Sequence, residues 1–213
     1  ILPKEKVTEE ISNIRNVPMG RDVSSPPAHS AFSTPLEMMS FIKTLRELSG
    51  GKPVGIKLCI GKRREFLAIC KAMNESGIAP DYIAVDGTEG GTGAAPLEFS
   101  DSIGTPLAEA LVLVHNALVG FNLRDKIKVI SSGKIITGFD IVKNIARGAD
   151  ICYSARAMML AVGCIQALRC NANICPAGVA THDPLVVIGL HVEDKAKRTS
   201  SYHDGTVQSV AEI

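Results

Sequence analysis

Three cysteines with chemistry-bearing potential stand near the carboxyl end, in GCIQALRCNANICPAGVATHDP (residues 163–184). Five residues separate Cys164 from Cys170, and four separate Cys170 from Cys175. The spacing matches neither a zinc ribbon nor a ferredoxin run. If a helix beginning near residue 155 runs to about 168, Cys164 lies on it and Cys170 just beyond it. Cys175 then sits in the return before Pro176. A helix end and a tight turn can converge three thiolates on one centre, and three ligands rather than four suit a [3Fe–4S] cluster. A disulfide remnant and three small buried thiols remain open on spacing.

Further candidates lie in turns. DGTEGGTGAAP (86–96) is the most glycine-dense stretch, and glycine lets a backbone approach a ligand closely. It is neither a P-loop nor a dinucleotide fingerprint. SSGK (131–134) and YSAR (153–156) are turns of the kind that hold a phosphate with backbone amides and a fixed cation, here Lys134 and Arg156. Ordinary solvated charges are the alternative. Lys57 interrupts an apolar run, and a Lys there can stabilise negative charge on a reduced flavin or snorkel from a strand end. His29 and His115, in a loop and a helix, are by themselves ordinary polar residues.

Elements that could position these groups are visible as alternating patterns. The runs 54–60 (VGIKLCI), 82–87, 127–133 and 149–155 read as buried strands. Helical patterns follow each of them: 64–77, 106–120, 138–148 and 155–168. Continuously apolar strands separated by helices predict an α/β fold with a parallel sheet. Function then belongs at the strands' carboxyl ends. Four βα units are half of a (β/α)8 barrel, which needs eight and about 250 residues. The chain is therefore expected to supply the C-terminal half of such a barrel. Residues 1–50 read as a long loop and a helix opening at Thr34-Pro35. Residues 51–184 carry the four units and the cysteine motif, and 185–213 a C-terminal helical segment, read as a surface helix pair.

The bulk numbers bound the function class. The chain has 213 residues, 46% of them apolar, and a formal charge of +1, which leaves no electrostatic footprint for nucleic acid. No run of about 18 apolar residues suggests a membrane span. The opening ILPKEKVTEE places charges where a signal peptide needs apolar residues. A cytoplasmic protein with cysteines free of structural disulfides is expected.

In combination, DGTEGGTGAAPLEFSDSIGTPLAEALVLVHNALV, ISSGKIITGFDIVKNIARGADICYSARAMMLAVGC and CIQALRCNANICPAGVATHDP resemble the FMN-binding synthase domain of glutamate synthases. The likeness is strongest to the stand-alone, archaeal-type glutamate synthase-related proteins. It runs from about Arg15 to the C-terminus and includes SPPAHSAFSTP. The resemblance implies FMN and a [3Fe–4S] cluster as cofactors. It implies phosphate loops at Ser132-Gly133-Lys134 and Ser154-Ala155-Arg156, and a glycine loop of Gly90, Gly91, Thr92 and Gly93. Lys57 becomes a catalytic residue beside flavin and substrate, His29 and Glu89 substrate residues, and Cys164, Cys170 and Cys175 the cluster ligands.

The expected activity is reduction of 2-iminoglutarate, formed from 2-oxoglutarate and ammonia, to glutamate. Electrons would come from ferredoxin or an NAD(P)H-oxidising subunit, and ammonia from an amidotransferase or from solution. The remaining half of the barrel would be a further partner. Two departures from the large enzymes fall near flavin and oxo-acid: Thr88-Glu89 replaces His-Asp, and Ile60-Gly61 replaces Ser-Glu. A glutamate N-methyltransferase-type flavin subunit and a non-catalytic carrier of FMN or iron–sulfur are the alternatives.

Overall fold

All four predicted strands form, each shorter than its apolar run, and each is followed by a helix. The structure, a computed structural model, describes residues 2–91, 98–99 and 101–213. Helix α1 (Glu9–Arg15) and helix α2 (Pro35–Leu48) precede the sheet. Strand β1 (Gly55–Leu58) leads to α3 (Arg63–Ser76), and β2 (Tyr82–Asp86) to α4 (Leu107–Gly120). Strand β3 (Lys128–Ser132) leads to α5 (Gly138–Ala146), and β4 (Ile151–Tyr153) to α6 (Arg156–Val162). A four-residue α7 (Pro184–Val187) and the long α8 (Val192–Glu212) complete the chain.

The sheet is parallel throughout and its spatial order is the order of sequence, β1-β2-β3-β4. This is the arrangement of a wall of consecutive βα units. Alternation along the strands gives the two faces different fates. Ile56, Leu58, Ile83, Val85, Val129 and Cys152 point into the core formed with α3 and α4, where Phe66, Met73, Leu111, Val114 and Leu118 are buried. The opposite face carries Lys57, Tyr82, Ala84, Asp86, Ile130, Ser132, Ile151 and Tyr153. Gly55 lacks a side chain there because the Tyr82 ring occupies the space: a Cβ on Gly55 would lie 2.2 Å from it.

Capping explains where the helices begin. Thr34 and Glu37 form a reciprocal capping box at the start of α2, with Pro35 in the first turn. Thr137 and Asp140 do the same for α5. Gly77 closes α3 in the left-handed conformation.

The amino ends of the strands are locked by two matching clamps. Asp81, just before β2, makes two hydrogen bonds with Val54: its N–H donates to the Val54 carbonyl at 2.8 Å, and its side-chain Oδ2 accepts from the Val54 N–H at 2.7 Å. Arg46 reaches the same Oδ2 at 2.9 Å and the Ala79 carbonyl at 2.8 Å. Asp150, just before β4, repeats the pattern with Val129, both bonds being 2.7 Å. Arg124 reaches its Oδ2 at 2.9 Å and the Gly148 carbonyl at 3.0 Å. In each clamp the arginine takes the carboxylate and the carbonyl two residues upstream of it. Burial pushes both carboxyls up. The Val54 amide and Arg46 for Asp81, and Arg124 and the Val129 amide for Asp150, outweigh it and hold both below the usual carboxylate range.

One expectation is corrected. The helix expected over 155–168 ends at Val162, because Gly163 turns left-handed (φ +116°) and Gln166 and Leu168 follow with positive φ. Cys164 therefore lies beyond the helix. The predicted surface helix pair is the short α7 and a 21-residue α8 that packs on both α5 and α6. Among the described residues no helix is long and apolar enough to cross a membrane.

Candidate functional site

One row of side chains crosses the carboxyl end of the sheet on the face away from the helices. Asp86 pairs in register with Ser132, and Ser132 with Tyr153. Lys57, in register with Ala84 two residues lower, sends its ammonium up to Asp86 Oδ2 and forms an ion pair with it. The Lys57 side chain is 57% exposed. A lysine amid apolar residues is tolerated here because the strand alternates: Ile56 and Leu58 face the core and Lys57 faces away. Tyr153, also substantially exposed, adds a phenol and an aromatic face to the row.

The turn after β2 folds back across this end. Gly87 N–H donates to the Ser132 carbonyl at 2.8 Å, and Gly90 N–H to the Gly87 carbonyl at 2.7 Å. Thr88 is tied to the loop leading into α4, its N–H donating to Thr105 O at 3.1 Å and its hydroxyl to Ile103 O at 2.7 Å. Glu89 has a structural partner: both carboxylate oxygens accept from the Leu107 N–H, at 3.1 and 3.2 Å. This N-terminal amide of α4 has no side-chain cap, since Pro106 precedes it. The carboxylate supplies the missing acceptor and complements the helix dipole.

The phosphate-type turns adjoin this loop. Arg156, the first residue of α6, lays its guanidinium against Gly91, where a Cβ would lie 2.5 Å from a terminal nitrogen. Gly133 (φ +145°) and Lys134 (φ +46°) turn the chain sharply after β3. Lys134 Nζ holds both oxygens of Asp101, at 2.8 and 2.9 Å. The Ser154 hydroxyl donates to the Ile135 carbonyl at 3.0 Å. The first amides of α6 receive no side-chain cap from Ala155. Two cations, two hydroxyls and a glycine-opened backbone are a donor set that suits a phosphate. An incoming phosphate would take the place of Asp101 at Lys134.

The structure brings Lys57, Glu89, Gly90, Gly91, Ser132, Gly133 and Arg156 to one end of the sheet. Thr92 and Gly93 lie outside the described residues. His29 stands in an aromatic group at the start of α2, stacked on Phe32 at 4.7 Å and close to Phe41 at 5.1 Å. Its Nδ1 accepts from the Ala31 N–H at 3.1 Å. Among the described residues no hydrogen bond or ring contact joins it to the Lys57–Asp86 row. Asp86, Asp101 and Tyr153 were missed in the sequence. Asp86 carried a signal, as the sole carboxylate of its strand and at the functional end.

The cysteine segment is a closed hairpin. An isolated antiparallel bridge joins Ile174 to Thr181, and the Thr181 hydroxyl donates to the Asn173 carbonyl at 3.0 Å. Cys175 is buried inside it. The Ala180 amide, against burial and with help from the Ala177, Val179 and Gly178 amides, holds its thiol below the ordinary range. Cys164 Sγ accepts a long bond from the Gln166 N–H, 3.5 Å. Cys170 is exposed, and its carbonyl accepts from Lys6 Nζ. All six cysteines are free. Among the described residues no three His, Cys, Asp or Glu side chains are grouped to hold a metal ion. Cys175 thus has the amide environment of a ligating thiolate, but the trio is not gathered.

The chain matches the family described as the conserved region in glutamate synthase over residues 1–213. It is similar to a glutamate synthase large subunit-like protein of Bacillus subtilis, 46% identical over 92% of this chain and 37% of that protein. It is also similar to an archaeal glutamate synthase [NADPH] of Methanocaldococcus jannaschii, 35% identical over 100% of this chain and 41% of that one. The chain therefore spans about two fifths of the length of these relatives. Among solved structures it is similar to a substituted flavocytochrome b2 with sulfite bound, at 17% identity and a TM-score of 0.44, covering 79% of this chain and 33% of that one.

Proposed function

We propose a flavin-dependent reductive amination for this chain, which belongs to the glutamate synthase family. In this reading it forms one wall of a (β/α)8 barrel closed by the rest of a longer protein, in the cytoplasm. The reaction is reduction of 2-iminoglutarate, from 2-oxoglutarate and ammonia, to glutamate. The supporting observation is the convergence of Lys57, the glycine turn and the Arg156 guanidinium on one carboxyl end of a parallel sheet.

Bound there, FMN would supply the hydride equivalent, taking electrons from ferredoxin or an NAD(P)H-oxidising partner. Ser132, Gly133, Lys134, Ser154, Ala155 and Arg156 would hold its phosphate through amides, hydroxyls and two cations. Gly90 and Gly91 allow the backbone to approach the ligand. Lys57 would direct N–H donors from the row towards a carboxylate or an anionic ring edge. Tyr153 offers an apolar face and a hydroxyl in the same row. Ammonia would reach the site from an amidotransferase or from solution. A [3Fe–4S] cluster on Cys164, Cys170 and Cys175 belongs to the same reading, but the ungathered trio does not fit it as it stands.

The test is anaerobic titration with FMN of the longer protein in which the barrel is closed, followed by flavin fluorescence quenching, with iron and sulfide analysis on the same samples. Saturable binding is expected, weakened at least about tenfold in Arg156→Ala, the loss of one charge-assisted phosphate contact. Equal affinity in both proteins would remove Arg156 from the phosphate site. No binding at all would remove the flavin from this chain.

A further inference from the structure

We infer that Asp86 is the positioning residue for Lys57, and that it ties the lysine and the glycine turn into one unit. The inference deepens the flavin-site reading and rests on it for the use to which Lys57 is put.

Asp86 ends β2 on the face away from the helices. Its side chain is only 20% exposed, and Oδ2 accepts from the Lys57 ammonium. Oδ1 is fully buried and has no hydrogen-bond partner among the described residues. A carboxylate so placed has one cation to offset the cost of its burial. Losing that cation would leave a largely buried charge alone, which is far costlier than losing a surface pair.

The dependence runs the other way too. Lys57 is a long, half-exposed side chain with many rotamers open to it, and ordering it costs entropy. Among the described residues, Asp86 alone holds its ammonium at the carboxyl end. With Asp86, one of its three N–H donors is committed and two remain for a ligand. The dyad is neutral as a whole, so its contribution is the direction of those donors rather than net charge.

Gly90 shows that the same carboxylate fixes the turn. A Cβ at Gly90 would lie 2.2 Å from Asp86 Oδ1 and 2.7 Å from its Cγ. The backbone of the turn is pressed onto the carboxylate from above while Lys57 holds it from the side. Gly90 in turn is bonded to Gly87, and Gly87 to the end of β3. A shift of Asp86 therefore moves both the ammonium and the loop. The lysine and the glycines, separate features in the sequence, are two contacts of one carboxylate.

The test reads Lys57 directly and needs no flavin. The full chain and Asp86→Asn are pulsed with a water-soluble acylating ester, and each lysine's rate is followed by peptide mass spectrometry. Lys128, exposed at the opposite end of the sheet, serves as the internal standard. Asp86→Asn should raise the Lys57 rate relative to Lys128 by about fivefold, the scale of a half-exposed ion pair. Asp86→Glu, which keeps the charge, should recover most of the protection. An unchanged ratio, or equal acceleration of both lysines through general loosening, would overturn the inference. If Asp86→Asn does not fold, the unsubstituted chain is pulsed at low and at molar salt. Screening should then raise the Lys57 rate selectively, and a flat ratio would overturn it. Failure of FMN to bind would sink the flavin reading and leave this outcome standing.

Discussion

Asp140→Asn isolates one charge at the start of α5, the helix that follows the Ser132–Lys134 turn. Asp140 Oδ2 accepts from the Ile136 N–H at 3.2 Å and from the Thr137 N–H and hydroxyl at 3.0 Å each. Its Oδ1 accepts from Lys143 at 2.8 Å. Burial pushes the carboxyl up, but the Lys143 ammonium and the Thr137 and Ile136 amides overcome it and bring it from 3.8 down to about 2. An asparagine keeps the shape and an acceptor oxygen while removing the charge. The fall corresponds to about 2 kcal/mol of preference for the ionised form. Solvent screening reduces this to about 1 kcal/mol, because Lys143 is 37% exposed.

The sign follows from the depressed folded value. The stabilisation is complete above the unfolded carboxyl's range and is lost as pH falls from about 4 to about 2. Calorimetry of the two proteins between pH 6 and pH 2.5 should show the variant melting about 2–4 °C lower at pH 6. The gap should close steadily below pH 4. A gap that is the same at pH 6 and pH 2.5 would refute the electrostatic account and leave only capping geometry.

Arg124→Ala should destabilise the chain by about 2–3 kcal/mol in urea unfolding, since it leaves Asp150, a half-buried carboxylate, with the Val129 N–H but without its cation. Because the Asp150 carboxyl is held low in the folded chain, that deficit should shrink as pH drops below 4; a deficit independent of pH would point to lost packing instead. Gly55→Val should cost about 1–3 kcal/mol by driving the Tyr82 ring off the sheet. A near-ultraviolet circular dichroism change without loss of helix would mark the ring's displacement, and an unchanged Tm would contradict the close approach.

Much of the fold was legible because apolar runs, glycine stops and capping boxes are local signals. Each strand was found within a few residues, and the parallel wall followed from strand–helix alternation. The helix expected to contain Cys164 was overrun because GCIQAL continues an apolar pattern. The left-handed backbone at Gln166 and Leu168, which ends any continuation, has no sequence mark. The candidate site was legible where residue type is unusual, as at Lys57, Arg156 and the glycines. It was illegible where its groups pair over distance. Asp86 meets Lys57 across 29 residues, and Asp101 meets Lys134 across 33. Glu89, a substrate residue by the resemblance, accepts from an amide 18 residues away.

The order of the strands has a consequence for how the chain is made. Each strand pairs with the one synthesised before it, so the wall can lengthen at one edge as polypeptide leaves the ribosome. Short-range pairing of this kind keeps the loop-closure cost of each addition small. The two arginine clamps then act as successive latches. The first closes once Asp81 has emerged to meet Val54, and the second only after Asp150 has emerged to meet Val129. Nascent chains arrested beyond each aspartate should gain protease resistance in two steps, with β1 and β2 sheltered first.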